Sequence, residues 1–261
     1  MKELSHSRPP DDLTQRRLCL AADVEQYSRL DTRTQSVVQS ELVRMLDEAA
    51  ALAGLDRATW TRQPQGDLEF AVLPELTPED AVLGPFVHHL AVRLGDRNAR
   101  PGIQRIRLRL AVDTGVVSDA ALGHAGPAPV AVARYLNAPQ LRAVLATLTS
   151  AHLAVIVSDR LYQDVVRSRR RELDPAQYVR VHVKVKEFGG YGWIRVPGHA
   201  PDDVRSAMTQ AQAPLPDAGV QSCAPVSQYV HQGAAVGRDV VGGLTVGLPS
   251  SSPQADSGRA W

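Results

Sequence analysis

The chain has 261 residues, with 29 basic against 28 acidic side chains and a formal net charge of +1. That length suits one domain of ordinary size plus an appendage, and the even charge balance gives no electrostatic footprint for a nucleic-acid partner. Apolar residues make up 44% of the chain but aromatics only 5%, so the core is expected to be aliphatic, built from Val, Leu and Ala. The two cysteines, Cys19 and Cys223, lie far apart and support neither a disulfide framework nor a metal spacing, as suits a reducing compartment. The apolar stretch after Arg17 is cut short by Asp23, which argues against a signal peptide. No run approaches the roughly 20 apolar residues of a membrane span. The expectation is a soluble, cytoplasmic protein with no membrane partner.

In chain order, residues 1–15 are polar and read as a mobile leader. Leu18–Ala22 is a buried strand ending at Asp23. Val38, Leu42, Met45, Leu46, Ala49 and Leu52 recur at helical spacing between Thr32 and Ala53, and Gly54 stops that helix. Ala58–Arg62 and Leu68–Leu73 form a hairpin around Pro64-Gln65-Gly66-Asp67. Pro78 opens a second amphipathic helix, with Leu83, Val87, Leu90 and Leu94 on one face. Ile103–Val112 alternates apolar residues with Gln104, Arg105, Arg107 and Arg109, predicting a strand with one wet face. A third helix is expected from Val130 to Thr147, then a strand at Leu153–Val157 and a helix from Ser158 or Asp159. The arginines at 167, 169, 170 and 171 read as a solvated helix end. Strands at Tyr178–Lys186 and Tyr191–Val196 close the pattern.

This order predicts an α+β fold: a ferredoxin-like βαββαβ core with added C-terminal α and β elements, its sheet mainly antiparallel and its helices on one face. The domain is expected to span residues 16–197. Residues 198–261, rich in Ala, Gly, Pro, Ser and Gln, read as a low-complexity, largely disordered tail. Within the tail, Tyr229 to Val246 alternates Val with Gly and reads either as filler or as a segment that docks on a partner protein's sheet edge.

Asp23 follows an apolar strand, and Asp67 sits in a tight turn between two strands. If those strands are neighbours, both carboxylates project from one end of the sheet, and such oxygen ligands suit Mg²⁺ or Mn²⁺. Taken alone, an aspartate in either setting is more often a turn-former.

The surrounding residues point further. Leu18-Cys19-Leu20-Ala21-Ala22-Asp23-Val24-Glu25-Gln26-Tyr27-Ser28 resembles the opening strand of class III nucleotidyl cyclases. Gly66-Asp67-Leu68-Glu69-Phe70 resembles their Gly-Asp-Gly hairpin, with Leu68 for the second glycine. The segment from Arg107 to Val117 resembles the strand that reads Arg-aliphatic-Gly-aliphatic-His-Thr-Gly in that family. Gly126 to Leu136 resembles the helix carrying its Asn and Arg, and the two late strands are similar to its closing segments. The resemblance implies two Mg²⁺ or Mn²⁺ ions held by Asp23 and Asp67 with the Val24 carbonyl. It further implies that Arg134 stabilises charge on the α-phosphate of a nucleoside triphosphate and that Lys186, or Lys184 in a shifted register, contacts the phosphate tail. In that family the site is shared across a homodimer, so Asp23 and Asp67 would face the Arg134 position of a second copy.

The departures matter equally. The family's transition-state asparagine falls on Val130, and its purine-selecting pair falls near Gln63 and Pro127. Two readings stay open. One is an active cyclase making a 3′,5′-cyclic nucleotide and pyrophosphate, with Gln63 holding a pyrimidine, as in the pyrimidine cyclases of antiphage signalling. The other is a degenerate cyclase domain kept as a nucleotide-sensing or partner-binding regulator. An unrelated αβ binding protein is the third class.

Overall fold

The computed structural model describes residues 15–121 and 123–212. The expected leader up to residue 14, Cys223 and the Val/Gly stretch from Tyr229 to Val246 lie outside the described residues. The first half is β1 (Gln15–Val24), α1 (Thr32–Leu52), β2 (Thr61–Gln65), β3 (Leu68–Val72), α2 (Glu79–Ala81), α3 (Val87–Asn98) and β4 (Leu108–Ala120). The second half is β5 (Gly123–Ala125), α4 (Pro127–Leu136), α5 (Pro139–Thr147), β6 (Leu153–Ser158), α6 (Asp159–Asp164), β7 (Val179–Val185), β8 (Phe188–Arg195) and α7 (Pro201–Gln212).

The sheet runs β2-β3-β1-β4-β6-β8-β7, with β5 paired to β4. Among the described residues, only β4 and β6 pair in parallel. The first four strands and their two helical segments are the expected βαββαβ core.

β1 is an interior strand, flanked by β3 and β4, and is buried on both faces. Leu18, Leu20, Ala22 and Val24 face one core with α1 and α3, while Cys19 and Ala21 face another with α4, α5 and α7. Helices therefore cover both faces of the sheet rather than one. A strand that is apolar at every position, as Leu18–Ala22 is, needs an apolar partner on each side. Burial also pushes the Cys19 thiol up to about 12, so it acts as a small hydrophobe.

Local chemistry sets the element ends. Asp31 caps α1 by accepting a hydrogen bond from the Thr34 amide at 2.8 Å. Gly54, just beyond α1, has φ 72. The helix expected from Pro78 is interrupted by a π-helical turn, Val82–Phe86, that contains Pro85. Proline has no amide to donate, and a wider turn absorbs the missing bond. The single helix expected over 130–147 is two helices, because the residue before Pro139 is driven out of helical geometry: Ala138 has ψ 128.

β4 starts at Leu108 rather than Ile103. The Asn98 side chain pairs with both backbone groups of Ile106, the amide at 2.9 Å and the carbonyl at 2.6 Å, in place of a neighbouring strand. The domain boundary expected at Pro197 also moves. Helix α7 continues past it and buries Val204 and Ala207 in the α5 side of the core. Among the described residues, no helix is long and apolar enough to cross a membrane.

Candidate active site

β1 pairs with β3 on one side and β4 on the other, and Asp23 stands opposite Leu68 and Arg109 in the two registers. The turn that precedes β3 places Gly66 at φ 68, a left-handed conformation suited to glycine. Asp67 follows it, and its carbonyl accepts a hydrogen bond from the Val24 amide at 3.2 Å. The two strand ends are therefore pinned together, and the Asp23 and Asp67 carboxyl groups are within hydrogen-bonding reach of one another.

Asp23 is 8% exposed. Burial raises its carboxyl to about 6, Arg109 opposes that shift by charge and hydrogen bonding, and Asp67 adds to it. Arg109 donates to Asp23 Oδ2 in an ion pair that is nearly enclosed. The alternating pattern places Arg107 and Arg109 on a wet face, but neither is there. Arg107 bonds the Leu145, Leu148 and Ala151 carbonyls at and beyond the end of α5 and pairs with Glu25 at 2.9 Å. Arg109 is the neighbour of Asp23 that the sequence does not reveal. Its relation to Asp23 depends on the pairing of strands far apart in the chain.

Among the described residues, no group of three or more His, Cys, Asp and Glu side chains could hold a metal ion. The donor set is the two carboxylates. They fit a hard divalent cation: both offer oxygen, they lie side by side, and their mutual repulsion is what a cation would relieve. Further oxygens would have to come from backbone, water and substrate phosphates.

The remaining candidates lie elsewhere on the subunit. Arg134, on α4, is 3.9 Å from Glu187 and so beside the turn that carries Lys186. Lys186 has φ 54. Tyr135 fixes that approach, donating to the Tyr191 carbonyl at 2.8 Å and packing edge-on to Phe188 at 5.1 Å. One turn back on α4, Val130 is 52% exposed. It lines a cleft with Pro127, Tyr191 and Phe188, floored by the buried Asp113, Thr114 and Ser158.

Gln63 is half-buried on β2. Its carboxamide lies so close to Gly123 of β5 that any side chain at Gly123 would overlap it. Gly123, at φ 118, is thus the residue across from Gln63, whereas Pro127 borders the cleft at the start of α4.

No family model matches the chain, and no curated protein matches it. Among solved structures it is similar to the guanylyl cyclase Cya2, at 12% identity over 72% of this chain and 96% of that one, with a TM-score of 0.50. It is also similar to an adenylate/guanylate cyclase/hydrolase from Silicibacter pomeroyi, at 22% identity over 70% of this chain and 98% of that one, with a TM-score of 0.51. At such identities the likeness is one of fold, and the chain has the fold of the class III adenylate and guanylate cyclase catalytic domains.

Proposed function

We propose that this chain is a nucleotide cyclase, converting a nucleoside triphosphate to a 3′,5′-cyclic nucleotide and pyrophosphate in a two-fold homodimer. The observation that carries this reading is the convergence of the Asp23 and Asp67 carboxylates at one end of the sheet in a cyclase fold. A pure scaffold gains nothing from two acids held in repulsive contact at a partly buried place.

In the reaction the substrate's 3′-oxygen bonds to the α-phosphorus, the bond from that phosphorus to the pyrophosphate oxygen breaks, and the hydroxyl proton is released. Asp23, Asp67 and the Val24 carbonyl are the residues that would hold Mg²⁺ or Mn²⁺. Two such ions, when bound, supply activation of the hydroxyl and neutralisation of the leaving group. Arg109 opposes the upward shift of the Asp23 carboxyl by its charge and hydrogen bond. Arg134 of one subunit is assigned to the α-phosphate above the other subunit's aspartates, since a guanidinium stays charged and bonds phosphate oxygens in a fork. Lys186 is assigned to the phosphate tail.

Gln63 is assigned to the base. A carboxamide both donates and accepts, so it can read a pyrimidine edge in either sense. Gly123 beside it contributes no side chain to fix a purine. On this reading UTP or CTP is preferred over ATP, and the cyclic product acts as a cytoplasmic signal, as in antiphage pyrimidine cyclases. Asp23→Asn, which keeps a hydrogen-bond acceptor for Arg109, and Asp67→Ala should each abolish turnover with the circular dichroism spectrum unchanged. Turnover that survives either substitution contradicts the assignment.

A second reading rests on Val130, exposed and apolar where a transition-state hydrogen-bond donor is wanted. There the domain is a degenerate cyclase that senses nucleotide or binds a protein partner, with the C-terminal tail as its contact.

A further inference from the structure

Asp67 must be held beside Asp23 against electrostatic repulsion, yet its hairpin is weakly built. β2 is an edge strand whose side chains are almost all exposed. Pro64, which stands opposite Glu69, has no amide to donate to the ladder. Backbone pairing of β3 to β2 is therefore thin beside the turn, and on that side Asp67 needs other support.

An ion-pair network centred on a buried Arg57–Glu69 pair fills that gap. Arg57, on the short helical turn Arg57–Thr59 ahead of β2, is 4% exposed, and Glu69, two residues after Asp67, is 5% exposed. One guanidinium nitrogen of Arg57 donates to both carboxylate oxygens of Glu69, and a second donates to Asp47 of α1. Glu69 in turn sits across from Ala22, the neighbour of Asp23, in the β1–β3 register. The chain of contacts runs from α1 through Arg57 and Glu69 to the strand that starts at Asp67.

We propose that Arg57 and Glu69 are positioning residues for the metal-binding pair, fixing β3 so that the Asp67 carboxylate stays against Asp23. The inference rests on the reading of Asp23 and Asp67 as metal ligands. It distinguishes a clamp with a functional purpose from an ion pair that only stabilises the fold. Replacing a buried pair with apolar residues of similar volume commonly preserves stability, so the two roles can be separated.

The test is Mn²⁺ titration followed by electron paramagnetic resonance, with thermal unfolding of the same samples. The proteins are the full chain, Asp67→Ala, Arg57→Lys, and the double variant Arg57→Met with Glu69→Leu. The double variant is expected to unfold near the wild-type temperature but to bind Mn²⁺ about tenfold or more weakly, as outer-shell substitutions do. Arg57→Lys keeps the charge and loses the fork, so it should give a smaller loss and stays informative if the double variant does not fold. A folded double variant, or Arg57→Lys, with wild-type Mn²⁺ affinity overturns the clamp. Mn²⁺ binding that is unchanged in Asp67→Ala, or absent from the wild type, instead overturns the metal site on which the clamp depends.

Discussion

Arg109 and Asp23 face each other across the β1–β4 pairing and form an ion pair with side chains only 13% and 12% exposed. A carboxylate this enclosed, with a second carboxylate in reach, is tolerable because the guanidinium is there. Removing one partner of a buried pair costs about 3–5 kcal/mol, since the other is left uncompensated. Arg109→Ala should therefore unfold at markedly lower denaturant concentration. Mn²⁺ should restore more stability to the variant than to the wild type, because the cation replaces the lost charge. Equal denaturation midpoints without metal would remove Arg109 from this role.

The same enclosure gives a pH signature. Burial lifts the Asp23 carboxyl from 3.8 to about 6, Arg109 draws it down and Asp67 pushes it up. The folded state thus holds this proton more tightly than the unfolded state does. Its contribution to stability is complete below about pH 4 and is lost as pH rises through about 6. Two units correspond to about 3 kcal/mol. Asp23→Asn cannot titrate, so the metal-free wild type should lose stability relative to that variant by about this amount between pH 4 and pH 7. Denaturant titrations at several pH values measure the difference, and a pH-independent difference contradicts the assignment.

How much of this was legible in the sequence depended on the range of the interactions. Asp23 and Asp67 were readable because each is marked locally, one by the end of an apolar run and the other by Gly66 in a tight turn. The βαββαβ order and the closing strands follow from periodicity, and the turn residues mark the hairpin. Its first strand, however, spans Thr61–Gln65 rather than Ala58–Arg62, because Arg57–Thr59 forms a short helical turn. Arg109 was not readable, since its partner is 86 residues away and the register of two strands decides the contact. Its place in an alternating strand suggested water instead. The Gln63–Gly123 contact is hidden in the same way, because β5 comes back to β2 only in the folded chain. Helix α7 escaped because its sequence merges compositionally with the Ala- and Gln-rich stretch beyond it. Tertiary burial of Val204 and Ala207 supplies what local pattern does not.

Assembly can be tested by complementation. One chain carries both halves of the proposed site, so an isologous dimer would have two of them. Asp67→Ala and Arg134→Ala should each be inactive alone. Mixed in equal amounts, they should recover about a quarter of wild-type turnover, because half the dimers are mixed and each has one intact site. A mixture as inactive as its parents contradicts the shared site.

Val130 offers a gain-of-function test. It is more than half exposed on α4, so Val130→Asn should change stability by no more than about 0.5 kcal/mol. A hydrogen-bond donor aimed at developing charge should raise turnover, by about tenfold or more. Unchanged turnover in an active protein would mean that this position does not reach the reacting atoms.

The most direct measurement is incubation of the full chain with each of the four ribonucleoside triphosphates and Mn²⁺, with mass detection of cyclic products. We expect 3′,5′-cyclic UMP or cyclic CMP with matching pyrophosphate, lost on Asp67→Ala. Cyclic AMP with no pyrimidine product would contradict the role given to Gln63. No cyclic product from any triphosphate would contradict the cyclase itself and leave the regulatory reading based on Val130.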